Sequence, residues 1–191
     1  MVAIAITGEP GVGKTTLLLK LVEYLRSMNV TVYGFYCPEV REGGKRIGFR
    51  IVDIAKNNQG WLALIPEKAI EMGYDIAFLK RIGRYVLINY EAEKVGREAL
   101  KMQCKNCVLA IDEIGPMELS IEGLRREIIQ AIKNCDHLLI TLHRNMRDRD
   151  ILKLLQSKNT EIITLTKFNR DKMFNEMVNK LKNEFFKSID R

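Results

Sequence analysis

Five short apolar runs rich in β-branched residues punctuate the chain: Val2 to Thr7, Thr31 to Cys37, Cys107 to Asp112, His137 to Leu142 and Glu161 to Leu165. Amphipathic helical patterns lie between them. They run from Lys14 to Met28, Glu91 to Met102, Ile121 to Asn134 and Arg147 to Ser157, with a long basic-acidic one from about Asn169 to the end. Ser120, with Glu122 and Glu127, suits the start of the third of these helices. Strands alternating with helices predict a parallel sheet covered on both faces.

The pattern changes between Cys37 and Glu91. Glycines cluster at Gly43, Gly44 and Gly48. Ile47 to Ala55, Gly60 to Ile65 and Arg84 to Tyr90 then read as antiparallel strands. The stretch from about 38 to 90 is expected to be a β-rich insertion at the edge of the sheet. Repeats, low-complexity tracts and linkers are not evident, so residues 1–191 are expected to form one domain.

Where the first strand meets the first helix, residues 8 to 15 read Gly8-Glu9-Pro10-Gly11-Val12-Gly13-Lys14-Thr15, followed by Thr16. This is G-x-x-x-x-G-K-[ST] in its strand–loop–helix setting. Glycines let backbone N–H groups turn inward. Those groups and the helix N-terminus make a nest for phosphate. Lys14 is expected to reach the β- and γ-phosphates, and the Thr15 hydroxyl to ligate Mg²⁺.

The third apolar run ends in adjacent carboxylates, Asp112 and Glu113. Asp112 is the candidate second Mg²⁺ ligand. Glu113 is the candidate to accept a proton from, or to orient, the attacking water. This pair suggests the branch of P-loop folds in which another strand lies between the first and third. His137 to Leu142 is the candidate, giving an order of fifth, first, fourth, third, second for a five-stranded, mainly parallel core sheet in a three-layer α/β sandwich. Thr141 and His143, at the tip of that middle strand, are candidates to face the γ-phosphate. A capping Thr and a solvated His are the alternatives.

Composition changes this picture little. The 191 residues are 47% hydrophobic and 29% charged, an ordinary globular balance. No apolar run approaches the roughly 18 residues of a membrane helix. Neither a signal peptide nor a membrane span is expected, so the expected location is the cytoplasm. The net charge of +7 permits nucleic-acid binding, but no recognition motif accompanies it and a solvated surface is the plainer reading. Abundant Lys, Arg and Glu would suit a thermophile. The oligomeric state is open, with a monomer favoured. Cys104, Cys107 and Cys135 should gather at the N-terminal edge of the sheet, and Cys37 should lie far from them. A disulfide is possible there, but free thiols are the expectation, and a four-cysteine zinc site is not expected.

Several stretches taken together carry a resemblance. They are Gly8 to Leu17, Gly34-Phe35-Tyr36, Glu39 to Phe49 (EVREGGKRIGF), Gly83 to Val86 and Ile111 to Leu119 (IDEIGPMEL). The chain resembles the nucleoside-triphosphatases first associated with thermophiles, whose human relative is called cancer-related nucleoside triphosphatase. The resemblance implies a RecA-like fold and hydrolysis of several nucleoside triphosphates. It also gives weight to Arg41, Arg46 and Arg84. Arg41 is a candidate built-in arginine finger, or else half of a surface salt bridge to Glu39 or Glu42. Gly115, followed by Pro116, is expected to make a tight turn beside the carboxylates.

The expected activity is Mg²⁺-dependent hydrolysis of ATP, GTP and related triphosphates. The alternative is a nucleotide, nucleoside or nucleic-acid kinase on the same fold, with Arg144, Arg147 and Arg149 as its lid. A third reading is a nucleotide-driven switch that binds RNA or protein. Base preference is not legible: no guanine-reading N-K-x-D string is present.

Overall fold

The computed structural model describes residues 1–101, 104 and 106–185. Strand β1 (Ala3–Gly8) runs into the glycine loop, and α1 (Lys14–Ser27) leaves it. After β2 (Val32–Tyr36) the chain builds β3 (Glu39–Glu42), β4 (Lys45–Asp53), β5 (Gln59–Leu64), α2 (Pro66–Glu71), β6 (Arg81–Ile82) and β7 (Tyr85–Leu87). Then follow α3 (Asn89–Leu100), β8 (Val108–Ile114), α4 (Pro116–Ser120), α5 (Glu122–Asn134), β9 (His137–Leu142), α6 (Arg149–Ser157), β10 (Glu161–Leu165) and α7 (Arg170–Phe185).

One sheet takes in all ten strands, in the order β10-β1-β9-β8-β2-β4-β5-β7-β6, with β3 paired to β4. The pairs from β10 across to β2 are parallel. From β2 to β4 and beyond, the pairs are antiparallel. The core sheet is therefore not limited to five strands. The β-rich segment continues it, because β4 pairs directly with β2 through Phe35–Asp53 and Tyr36–Val52.

Side chains alternate across this sheet, as strand geometry requires. Ile4 and Ile6 of β1 face α1 and α7, meeting Leu18, Leu21 and Met177. Ala3 and Ala5 face the other layer, a core shared with α3 and α5 through Leu100, Leu124 and Ile128. Burial of both faces explains why β1, β8 and β9 read as unbroken apolar runs.

Some boundaries differ from the sequence expectations for local reasons. The helix expected from Arg147 starts at Arg149, because the Asp148 carboxylate accepts from the N–H groups of Asp150 and Ile151. Ser120 caps no helix: it ends α4, and Ile121 occupies the N-cap position of α5. The short elements β3, α2, β6 and α4 have too few residues to show a period. The end expected at Met102 and the last stretch of the final helix lie outside the described residues. No described helix is long and apolar enough to cross a membrane.

The expectation of free thiols is corrected for one pair. Cys104 and Cys107 form a disulfide, with Cα atoms 5.6 Å apart. Asn106, at φ 64°, turns the chain between them. Cys135 is buried and free at the same edge of the sheet, just before β9. Cys37 follows the opposite end of β2, whose register runs from Val32 beside Val108 to Tyr36 beside Asp112.

Candidate active site

The parallel strands end in a cleft of about 390 Å³. The phosphate loop forms one wall. Gly13, at φ 110°, sits in a conformation that only glycine adopts without strain, and so turns the loop into α1. Gly8 is fixed by space: a Cβ there would stand 2.4 Å from the Leu165 carbonyl oxygen of the neighbouring strand. Val12 is buried and anchors the loop from beneath. Glu9 points outward and pairs with Arg144. Pro10 and Gly11 line the cleft, whereas Thr16 is exposed on the first turn of α1 and does not.

Lys14 is 9% exposed. Its ammonium donates to the Gly8 carbonyl at 3.2 Å and pairs with Glu113 Oε2 at 3.2 Å. Beside it, the Thr15 hydroxyl donates to Asp112 Oδ2 at 2.7 Å. Thr141 donates to Asp112 Oδ1 at 2.6 Å from a fully buried position. Thr141 thus aims the Asp112 carboxylate, a role that sequence reasoning did not give it. Burial pushes the Asp112 carboxyl up from its ordinary range, against the two hydroxyl hydrogen bonds that favour its charge. The cost of holding that charge dry is relieved by any cation that sits against it.

His143 lines the cleft, and its Nδ1 accepts from the Asn145 N–H at 3.2 Å. In the neutral ring this leaves the proton on Nε2. Arg147 and Arg149 are exposed and do not line the cleft.

Gly115 leads from the carboxylates straight into α4: it holds the N-cap position, with extended backbone at φ −145° and ψ −171° and Pro116 first in the helix. It is glycine because a Cβ would meet Glu118 Oε2 at 3.2 Å and Glu113 Oε1 at 3.3 Å. The Gly115 N–H donates to Glu118 Oε2 at 3.0 Å. Glu118 is buried in the cleft wall, and burial, with the nearby Glu113 charge, pushes its carboxyl up to about 8. Sequence reasoning gives it no role. Its signal was a carboxylate three residues after Gly115 in an otherwise apolar turn.

The three arginines separate. Arg41 does not reach the cleft. Its Nε donates to Glu39 at 2.6 Å and its Nη1 to the Gly44 carbonyl at 2.8 Å, an arrangement that favours the salt-bridge alternative. Arg84 donates to the Tyr85 hydroxyl at 3.0 Å and lines an adjoining basic pocket with Arg41. Arg46 alone of the three lines the cleft. It pairs with Glu39 and lies 5.4 Å from the Phe49 ring centroid, and its buried Nε has no hydrogen-bond partner.

The sequence matches the family described as NTPase over residues 3–178. Nucleoside-triphosphatase THEP1 of Saccharolobus solfataricus is 41% identical over 176 residues, which cover 91% of this chain and 89% of that protein. Its counterpart in Methanocaldococcus jannaschii is 37% identical over 179 residues, covering 93% and 96%. The solution structure of a human cancer-related nucleoside triphosphatase superposes with a TM-score of 0.78 at 29% identity, covering 96% of this chain and 99% of that one. The crystal structure of THEP1 from Aquifex aeolicus superposes with a TM-score of 0.73 at 28% identity, covering 94% and 98%. A phosphate loop, a buried strand-end carboxylate and a match over most of the chain converge, and the chain belongs to the NTPase family.

Proposed function

We propose that this chain hydrolyses nucleoside triphosphates, ATP and GTP among them, to the diphosphate and phosphate with Mg²⁺. The Lys14–Glu113 pair, 3.2 Å apart beside the Thr15–Asp112 hydrogen bond, carries the reading. An incoming triphosphate competes with Glu113 for the Lys14 ammonium. As Lys14 turns to the β- and γ-oxygens, Glu113 is released with its charge and a free lone pair beside the γ-phosphorus. It then takes a proton from water as the water oxygen bonds to phosphorus and the β–γ bridging bond breaks. Lys14 and Arg46 face the charge that develops on the departing and equatorial oxygens. In this reading Arg46 takes the role first considered for Arg41.

The residues present fit Mg²⁺. Thr15 and Asp112 offer two hard oxygen donors 2.7 Å apart, and burial of the Asp112 carboxylate outweighs the nearby Lys14 charge. Mg²⁺ takes few protein ligands, and water and phosphate oxygens complete its shell. When bound, it supplies charge neutralisation at the β- and γ-oxygens. Thr15 and Asp112 would hold it, with Thr141 keeping Asp112 aimed.

A panel of ATP, GTP, CTP, UTP and ITP, with Mg²⁺ and with EDTA, tests the reading. Free phosphate should appear from several triphosphates with no added acceptor, and only with Mg²⁺. Phosphate that appears only when a nucleoside or nucleotide acceptor is supplied would make the enzyme a kinase.

A further inference from the structure

The phosphate loop has a second open side. A groove of about 590 Å³ lies between it and residues 164–168, which follow β10. Gly8, Pro10, Gly11 and Arg144 line both this groove and the cleft, so the two are continuous across the loop. The groups that fix the terminal phosphate, from Lys14 to Glu113, all lie on the cleft side. The Asp112–Thr141 hydrogen bond closes the interior of that side, toward β8 and β9. β10 lies on the opposite flank of β1. A triphosphate seated at Lys14 therefore carries its nucleoside toward the groove.

The groove is lined mostly by apolar surface, and Phe168 stands at its rim, 98% exposed. A lone exposed phenylalanine is no site by itself. This one is held in place by its neighbour. Asn169 Oδ1 accepts from the Thr166 N–H at 2.8 Å, and its Nδ2 donates to the Thr164 carbonyl at 2.9 Å. The Asn169 N–H in turn donates to Thr166 Oγ1 at 3.2 Å. The turn is thus tied before any ligand arrives, which lowers the entropic cost of using the ring. The same bonds consume the Asn169 side-chain amide, the group here best suited to read a base edge. Besides the Arg144–Glu9 pair and the Lys167 side chain, what the groove offers is a ring face and mostly apolar walls, which recognise a flat heterocycle with little reading of its edges.

We infer that this groove holds the nucleobase of the substrate, stacked on Phe168, and that it discriminates weakly between bases. The inference rests on the triphosphatase reading and extends it. The test is calorimetric binding of ADP, GDP and pyrophosphate, with Mg²⁺, to wild type, Phe168→Ala and Phe168→Trp. Phe168→Ala should weaken ADP and GDP alike by roughly tenfold or more, the scale of one lost stacking contact. Pyrophosphate should bind the variant as it binds wild type, and Phe168→Trp should retain both nucleotides. Unchanged ADP affinity in Phe168→Ala overturns the inference. Equal weakening of ADP and pyrophosphate also overturns it, because Phe168 would then support the loop and not the base. Loss of one nucleotide alone overturns the claim of weak discrimination. Wild type that binds neither nucleotide nor pyrophosphate would remove the triphosphatase reading, and this inference with it.

Discussion

The two halves of the sheet hold their charges in different ways. On the parallel half, Lys14, Asp112 and Thr141 are buried, and each is bound to a named partner within 3.2 Å. On the antiparallel half, Arg41 and Arg46 share the single carboxylate of Glu39 and stay 51% and 36% exposed. Buried groups are positioned by the fold before substrate arrives. Exposed pairs are worth little and can re-form around a ligand. In the proposed function, the parallel half serves the metal, the phosphates and the water. The antiparallel half supplies adjustable positive charge.

The sharpest break in that contrast is Lys14→Ala. It should lower kcat by roughly 10³-fold and weaken triphosphate binding, since no other cation is buried among the described residues. Steady-state phosphate release with a parallel binding titration checks it. Turnover within a few-fold of wild type would remove Lys14 from the mechanism.

Glu113→Gln should bind nucleotide normally and turn over roughly 10²-fold more slowly, the scale of a lost general base. If it turns over normally while Asp112→Asn does not, Glu113 only neutralises Lys14 in the empty cleft.

Arg46 and Arg41 test the other half. Arg46→Ala should lower kcat by roughly tenfold or more with a smaller change in KM, because it meets charge that develops in the transition state. Arg41→Ala should stay within roughly threefold of wild type, as expected for an exposed ion pair. The reverse ranking would return the arginine role to Arg41.

The smallest effect concerns Glu118. Its carboxyl is raised from 4.5 to about 8, so the folded protein keeps this proton in a pH range where the unfolded chain has released it. The stability it contributes is full below about pH 4.5 and is lost as pH rises to about 8. Glu118→Gln keeps an acceptor for the Gly115 N–H and removes the titration. The variant's Tm relative to wild type should therefore climb steadily between pH 4.5 and 8.5. A constant difference across that range would show that Glu118 does not titrate there.

What the sequence made legible follows the same division. The phosphate loop is eight contiguous residues between a strand and a helix, so spacing alone presents its chemistry. Asp112 and Glu113 end an apolar run, and the run marks them as strand-end groups. The arginines were not legible in this way. Arg41 and Arg46 are register partners on β3 and β4, and the pairing shifts between Val40 and Arg41. That pairing is invisible in the string, and it is Arg46, not Arg41, that lines the cleft. The extent of the sheet was hidden for a related reason, since β4 joins β2 through only two residue pairs. The groove at 164–168 lies where no motif was found, and its walls are set by the approach of β10 to Gly8.

The most direct test is to run the wild-type reaction on ATP and Mg²⁺ in H₂¹⁸O, without any acceptor, and to analyse both products by mass. Water attacking the γ-phosphorus predicts one ¹⁸O in each released phosphate and none in ADP. Absence of phosphate until an acceptor is added, or ¹⁸O found in ADP, would contradict the account.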